Sequence, residues 1–307
     1  MRAAIYDSYG GTDRIRVTDV PEPKVGPATV LIRVRSAGVN PVDWKVMAGY
    51  LDGMFDAVFP VIPGWDVSGV VEAVGLDTPE FQVGDEVMAY ARKDALIGGT
   101  FAELVAVPVR AVARKPASLD WHQAAGLPLA GLTAYQLIDR LEVAEGETVL
   151  IHNAGGGVGS LAVQIAIARG ARVIGTAGEG NHERLRELGA EPVAYGDGLV
   201  ERVRALAPEG VDVSLDLVGG VLGQAKALLR EGGRLGSIAD GSVAEHGGLS
   251  LWARPSSADL AVLARLADDG DLTVPIDAVH PLDDVAGAFE RSMTGHTAGK
   301  IVIEISA

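Results

Sequence analysis

The chain has 307 residues, 48% hydrophobic and 22% charged, which is a soluble globular composition with room for two domains. Its 26 basic and 41 acidic residues leave a net charge of −15, which repels a polyphosphate backbone and argues against nucleic acid as a partner. There is no cysteine, so disulfides, thiolate zinc sites and cysteine nucleophiles are excluded. No apolar run approaches the ~18 residues of a membrane span and no apolar signal core is seen, so a cytoplasmic protein without a membrane partner is expected.

Residues 1–118 read as strands and turns. "RAAIYD", "IRVTDV", "TVLIRVRSAGV", "GVVEAVG", "DEVMAYA" and "FAELVAVP" are short, β-branched and bounded by Gly, Pro or Asp. They predict an antiparallel barrel, closed or partly closed. "GDEVMAYARKDALIGGTFAEL" has the rhythm of two strands joined by a glycine-containing loop.

Composition changes near Pro116. "SLDWHQAAGLPLAGLTAYQLIDRL" carries helix signals, with Ser118 and Asp120 as N-cap candidates. Strands and helices then alternate through residue 257. "ETVLIHNA", "ARVIGTA", "PVAYG", "VDVSLDLVG" and "GGRLGSIA" are the strands; "GVGSLAVQIAIARG", "NHERLRELG", "GLVERVRALAP" and "VLGQAKALLR" are the helices. The pattern predicts a doubly wound α/β domain on a parallel sheet over 119–257. The segment 240–257 has no regular signal. In the tail, 258–307, "SADLAVLARLADDG" is helical, "TVPIDAVHPLDDVAGAFERSM" holds a strand and then a helix, and "GKIVIEI" is a closing strand. Its β character predicts a return to the first domain.

One stretch carries chemistry. In "VLIHNAGGGVGS" a strand ends in glycines and an apolar helix follows, with Ala154, Gly156 and Gly159 at the three small positions of a dinucleotide fingerprint. Helix N-terminal amides there would face a diphosphate. Ala154 fits only if its φ is negative. The competing reading is a plain strand-to-helix turn. The next strand ends in "GTAG" where NAD-binding chains place an acid for the ribose 2′-hydroxyl. Small residues followed by His182, Arg184 and Arg186 favour NADPH over NADH, although the basic residues also suit a solvated helix face.

Taken together, "AGVNPVDWKVMAG" (37–49), "PGWDVSGVVEAVG" (63–75), "GDEV" (84–87), "GGTFAELVAVP" (98–108), "AAGLPLAGLTAYQLI" (124–138), "NAGGGVGS" (153–160), "LGAEPVAY" (188–195) and "GKIVI" (299–303) make the chain resemble a known family. It is similar to the medium-chain dehydrogenase/reductase superfamily, in its zinc-independent quinone oxidoreductase (zeta-crystallin-like) branch. The resemblance covers nearly the whole length. It implies a GroES-like barrel domain formed from both ends of the chain, an inserted Rossmann domain, and an active site in the cleft.

Zinc-using relatives place Cys where this chain has Asn40 and His-Glu where it has Trp65-Asp66. Catalytic zinc needs about three N, S or O ligands, and the six histidines show no metal-ligand spacing, so no metal is expected. Alcohol oxidation, which leans on a Lewis acid, is disfavoured. What the resemblance implies instead is hydride delivery to a quinone or to the β-carbon of an α,β-unsaturated carbonyl, with the cofactor carrying the hard chemistry.

Asn40 would be the donor near the acceptor's carbonyl, with Asp43 shaping the same loop. As alternatives, Asn40 is a turn-former before Pro41 and Asp43 a buried structural carboxylate. Lys45 stands where some relatives carry Tyr. For NADPH the resemblance points to Thr133 near the nicotinamide, and to Gly156, Gly157, Val158 and Gly159 at the pyrophosphate. Thr176, His182 and Tyr195 map near the 2′-phosphate, and Val218 and Gly219 near the nicotinamide ribose. Lys300 is expected beside the cofactor, or else as an ordinary surface lysine. Segment 232–241 lies where relatives pair edge to edge, which implies a homodimer. An enoyl-thioester reductase and a non-catalytic NADPH-binding redox sensor or structural protein stand as alternatives to the quinone or enone reductase.

Overall fold

The computed structural model describes residues 1–305 and divides into two compact units, Met1–Leu129 with the chain from Pro255, and Ala130–Arg254. The divisions fall after Leu129 and Arg254 rather than at 118 and 257. Ser306 and Ala307, the end of the 258–307 segment, lie outside the described residues.

The first unit opens with strands β1 (Arg2–Ile5) and β2 (Arg16–Asp19), paired antiparallel as a small sheet of their own. The long strand β3 (Thr29–Val39) runs into helix α1 (Pro41–Met47). Pro41 has no N–H to lose at the first helical position, and Asn40 before it is extended, so the turn is built for a helix start. Strands β4 (Asp66–Val74), β5 (Glu86–Tyr90), β6 (Leu104–Pro108) and β7 (Val112–Arg114) follow. Helix α2 (Trp121–Gly126) starts at Asp120, whose side chain accepts from the Gln123 amide at 2.8 Å while Gln123 Oε1 accepts from Asp120 N at 3.1 Å, a reciprocal capping box. The expected single helical run breaks at Pro128, where α3 (Pro128–Arg140) begins and carries the chain out of the first unit. Helix α2 packs on β3 and β4, which is why the first unit extends past 118.

In the second unit the alternation is β8 (Thr148–His152), α4 (Gly157–Ala168), β9 (Arg172–Ala177), α5 (His182–Glu187), β10 (Glu191–Ala194), α6 (Leu199–Leu206), β11 (Val211–Asp216), α7 (Leu222–Leu228), β12 (Leu229–Ser237) and β13 (Leu249–Ser250). All pairs are parallel, in the order β10-β9-β8-β11-β12-β13. Counted from β8 this is the order 3-2-1-4-5-6 of a doubly wound dinucleotide-binding sheet, whose topological switch point lies between β8 and β11. Helix α4 is buried from Gly159 to Ala166, as a helix apolar all round must be. Two details mark the outer part of the sheet. Segment 232–241 is covered on its outer side only at Gly236 and Ser237, where the short β13 pairs with it. The register of β12 against β11 also shifts between Val211 and Val213, with Gly232 at φ +74 in the bulge.

The chain returns to the first unit with α8 (Ser257–Asp268), β14 (Ile276–Pro281), α9 (Val285–Met293) and β15 (Lys300–Glu304). The larger sheet has the order β14-β15-β3-β4-β5-β7, with β6 also on β3. One flank of β3 carries β4; the other is shared by β6 along Thr29–Arg33 and β15 along Ser36–Val39. β5 and β6 are the two strands expected on either side of the glycine-containing loop, and they do not pair with each other: β5 pairs with β4 and β7 while β6 goes to β3. By this pairing β15 brings Lys300 beside the end of β3, next to Asn40.

Candidate active site

The first unit buries a polar cluster at the junction of β3, α1, β4 and β15. Asn40 is 3% exposed, Asp43 3%, Asp66 0% and Lys300 5%. Four polar or charged side chains in one place are costly unless they satisfy each other. Lys300 and Asp66 do so through the Asn40 side-chain amide. The Lys300 ammonium donates to Asn40 Oδ1 and, at 3.1 Å, to the carbonyl of Val39. Asn40 Nδ2 donates to Asp66 Oδ2 at 2.9 Å. The orientation of the amide is dictated by its neighbours, because an ammonium has only donors and an ionised carboxylate only acceptors.

Asp43 sits one helical turn on and accepts from Asn40 N through Oδ2 at 2.7 Å, tying the loop to α1. Its other oxygen, Oδ1, is buried and has no hydrogen-bond partner. Asp66 is held twice, since its Oδ1 also accepts from Leu129 N at 2.8 Å, one of the free amides at the start of α3.

The electrostatics follow from this geometry. Burial pushes the Asp43 carboxyl up to about 8, with the neighbouring Asp66 adding to the rise and the Asn40 amide and Lys300 opposing it. Burial pushes Asp66 up to about 6, held lower by Lys300 and by its bonds to Asn40 and Leu129. Burial also lowers Lys300, while Asp66 and Asp43 hold it up. At neutral pH the Asp43 carboxyl is therefore largely protonated and the Asp66 carboxyl largely ionised, so the two buried acids do not both carry charge.

Trp65 fills the place where zinc relatives carry His. Its ring packs between Phe55 and Tyr90, with centroids 6.1 Å from each. Asp66 is the one remaining carboxylate at this position, and both its oxygens are engaged. With an amide, an indole and an ammonium around it, this donor set does not fit a zinc ion. Among the described residues no group of three His, Cys, Asp or Glu is arranged to hold a metal.

The second unit presents the glycine turn at the carboxyl end of β8. Gly156 is the N-cap of α4 and no side chain caps it, so the amides of Gly157, Val158 and Gly159 stay free for an anion. A Cβ on Gly159 would lie 2.1 Å from the carbonyl oxygen of Asn153, so only glycine lets helix and strand approach this closely. The positive φ of the turn falls on Asn153, at +60, and not on Ala154. These free amides and the closely approached helix fit the diphosphate of a dinucleotide.

Around this turn the expected residues separate into those at the surface of the sheet's carboxyl end and those within it. Val218 and Gly219 follow β11 and donate their amides to Asp216 Oδ1 at 3.0 and 2.8 Å. Asp216, which sequence reasoning missed, fixes the loop at the switch point, and Ser237 Oγ holds its other oxygen at 2.8 Å. His182 opens α5 with Nε2 3.2 Å from the Ala177 carbonyl, and the exposed Tyr195 ring lies beside Gly178. Both therefore gather at the end of β9, where Gly175, Thr176, Ala177 and Gly178 carry no carboxylate and Glu179 is the first. Thr176 differs: it is buried, and its Oγ1 accepts from Asn153 N at 3.0 Å, so it builds the turn and has no hydroxyl at the surface. Arg184, next to His182, donates to the Gly155 carbonyl and to Asn181 Oδ1. Thr133 is buried on α3. Lys300 is buried and donates to Asn40, so it is not the ordinary surface lysine of the alternative reading.

Known proteins share this whole plan. Residues 26–117 match the alcohol dehydrogenase GroES-like domain, and residues 188–303 match the zinc-binding dehydrogenase family. The chain is 35% identical to the NADPH-dependent alkenal/one oxidoreductase, chloroplastic, of Arabidopsis thaliana, over 99% of this chain and 79% of that protein. It is 30% identical to the chloroplast envelope quinone oxidoreductase homolog of the same plant, over 99% of this chain and 98% of that one. Among solved structures, the quinone oxidoreductase from Coxiella burnetii superposes with a TM-score of 0.88 at 32% identity, covering 100% of this chain and 99% of that chain. With a GroES-like domain, a Rossmann-type parallel sheet and relatives matched along its whole length, the chain belongs to the medium-chain dehydrogenase/reductase superfamily, as a quinone oxidoreductase-like member.

Proposed function

We propose that this protein is an NADPH-dependent oxidoreductase that reduces quinones or α,β-unsaturated carbonyl compounds without a metal. The observation that carries the reading is the Asn40 amide, held between the Lys300 ammonium and the Asp66 carboxylate. A cation on the amide oxygen and an anion on one N–H polarise the group, which makes the second N–H of Nδ2 a stronger donor. Aimed at a substrate carbonyl oxygen, that donor stabilises the negative charge that grows there during reduction. This is the part a Lewis acid plays in zinc relatives.

When bound, NADPH supplies the hydride. Gly156, Gly157, Val158 and Gly159 hold its diphosphate, Val218 and Gly219 its nicotinamide ribose, and Thr133 the nicotinamide end. His182 and Tyr195 receive the 2′-phosphate. The lack of an acid at the end of β9, before Glu179, supports NADPH over NADH, as does the name of the 35% identical relative. Asp43 belongs to the same site as a carboxyl that stays protonated at neutral pH. A homodimer is part of this reading, with segment 232–241 and the short outer strand β13 as the edge a second copy would meet.

The test is NADPH oxidation followed by absorbance with 1,4-benzoquinone and with a 2-alkenal. Turnover of at least one acceptor is expected. Protein that binds NADPH and turns over neither overturns the reading.

A further inference from the structure

Two buried oxygens in the first unit lack a partner and belong to residues lining the same cavity: Asp43 Oδ1 and the hydroxyl of Tyr6. Tyr6 follows β1, is 0% exposed, and was not singled out by any motif. An orphaned phenol in a core costs free energy comparable to a lost hydrogen bond, and so does an orphaned carboxyl oxygen. The cavity they share has a volume of ≈ 20 Å³, about the room one water needs. Its rim includes Ile97, 45% exposed, so the cavity reaches the surface. On its inner side the other carboxyl oxygen, Asp43 Oδ2, already accepts from Asn40 N at 2.7 Å. The free oxygen of the carboxyl is therefore the one that meets a water.

We propose that Tyr6 and Asp43 hold a water between them in this cavity, and that this water is the inlet by which solvent protons reach the Asn40 cluster at each turnover. The inference rests on the reductase reading above. Reduction of a quinone or enone consumes one hydride and one proton. Hydride addition leaves an anion on the substrate. The O–H bond of Asp43 then breaks as an O–H bond forms on a hydroquinone, or a C–H bond on a saturated carbonyl. The Asp43 carboxylate takes a proton back from the cavity water, and the water takes one from solvent at the rim. Tyr6 neither gains nor loses a proton. Burial, with Tyr9 and Asp43 nearby, pushes its phenol far above the ordinary range, so its hydroxyl is a fixed partner that positions the water.

The groups facing Asp43 agree with this division of labour. Asp66 from β4 and Lys300 from β15 act on it electrostatically, Tyr6 and Tyr90 come from β1 and β5, and Lys93 lines the same cavity. Lys93 donates to the Gly98 carbonyl at 2.7 Å. Burial lowers its ammonium from the ordinary lysine value.

The experiment compares wild type and Tyr6→Phe in light and heavy water across pH 6–9, with benzoquinone as acceptor. The variant keeps the ring and loses the hydroxyl. We expect NADPH affinity to hold, kcat to fall roughly 10- to 100-fold, at or below the usual weight of a positioned proton transfer, the solvent isotope effect to grow, and the alkaline fall of kcat to move to lower pH. A Tyr6→Phe enzyme with wild-type kcat, isotope effect and pH profile overturns the inlet while leaving the reductase reading intact. If the variant does not fold, wild type alone decides: a normal solvent isotope effect with loss of kcat above about 8 supports the inlet, and a flat profile without an isotope effect overturns it. If wild type binds NADPH yet turns over neither acceptor, both readings fall together.

Discussion

The Lys300 ammonium donates to the side-chain oxygen of Asn40 across 260 residues of chain, because β15 lies antiparallel to the end of β3 with Ile301 opposite Val39. This one bond joins the closing strand to the loop that starts α1. It gives a buried amide the charge balance that a donor to a growing oxyanion needs.

Asn40→Ala removes that donor and leaves Lys300 and Asp66 without their bridge. We expect kcat with benzoquinone to fall about 100-fold, in the range of losing one oxyanion donor, while the KM for NADPH changes little. Steady-state kinetics with both substrates varied will check it. An unchanged kcat would separate Asn40 from the chemistry.

Lys300→Met leaves the Asp66 carboxylate buried without its cation. Breaking a buried pair this way costs about 3–5 kcal/mol, measured by urea denaturation. Adding Asp66→Asn to Lys300→Met should restore much of that loss, because the uncompensated charge is then gone. A double variant no more stable than the single one would show that packing, and not charge, is what Lys300 contributes.

Stability should fall as pH rises through the neutral range. Asp43 and Asp66 move from an ordinary 3.8 to about 8 and about 6 on folding, so between these values the folded chain holds protons that the unfolded chain has released. The contribution of the cluster is full below 3.8 and is lost as pH rises through about 6 and then about 8. His152 acts the other way at lower pH, since burial pushes its imidazole down from 6.5 to about 4 and it resists protonation there. The clean window is therefore pH 7–9. Denaturation midpoints should decline across it in wild type and decline less in Asp43→Asn.

Gly159→Ala puts a Cβ where the Asn153 carbonyl oxygen already stands, 2.1 Å away. Backbone on both sides must move, which costs about 1–3 kcal/mol. Because Asn153 N and the Ala154 amide both bond to Thr176, the shift will reach the end of β9. NADPH binding, followed by protein fluorescence, should weaken at least as much as stability falls. A stable variant with wild-type affinity would remove the close approach from the cofactor site.

The second unit was legible in the chain because its elements answer to local rules. Alternating apolar strands and helices, a glycine turn between "VLIH" and a buried helix, and the missing acid after "VIGTA" are each written within about 30 residues, the span of one βαβ unit. The negative φ required at Ala154 follows from sterics alone, and the turn obeys it by passing the positive φ to Asn153. The first unit was legible as strands, but not as pairs. The glycine loop marked β5 and β6 as two strands but said nothing of their partners, and β6 crosses to β3, since pairing partners are chosen by which hydrophobic faces cover one another.

What the sequence determined by itself was the order of elements, the cradle, and the absence of metal-ligating residue types at Asn40 and Trp65. What only the tertiary structure decided was the company these residues keep. Lys300 could be read as lying beside the cofactor or as a surface lysine, and only the fold shows it buried as the cation on Asn40; Thr176 is buried too, with its hydroxyl on Asn153 N. Asp66, Asp216 and Tyr6 gave no local signal, because a buried polar side chain takes its role from partners far away in the chain. The balance of charge among Asp43, Asp66 and Lys300 exists only where β3, β4 and β15 place them in a medium too dry to screen them.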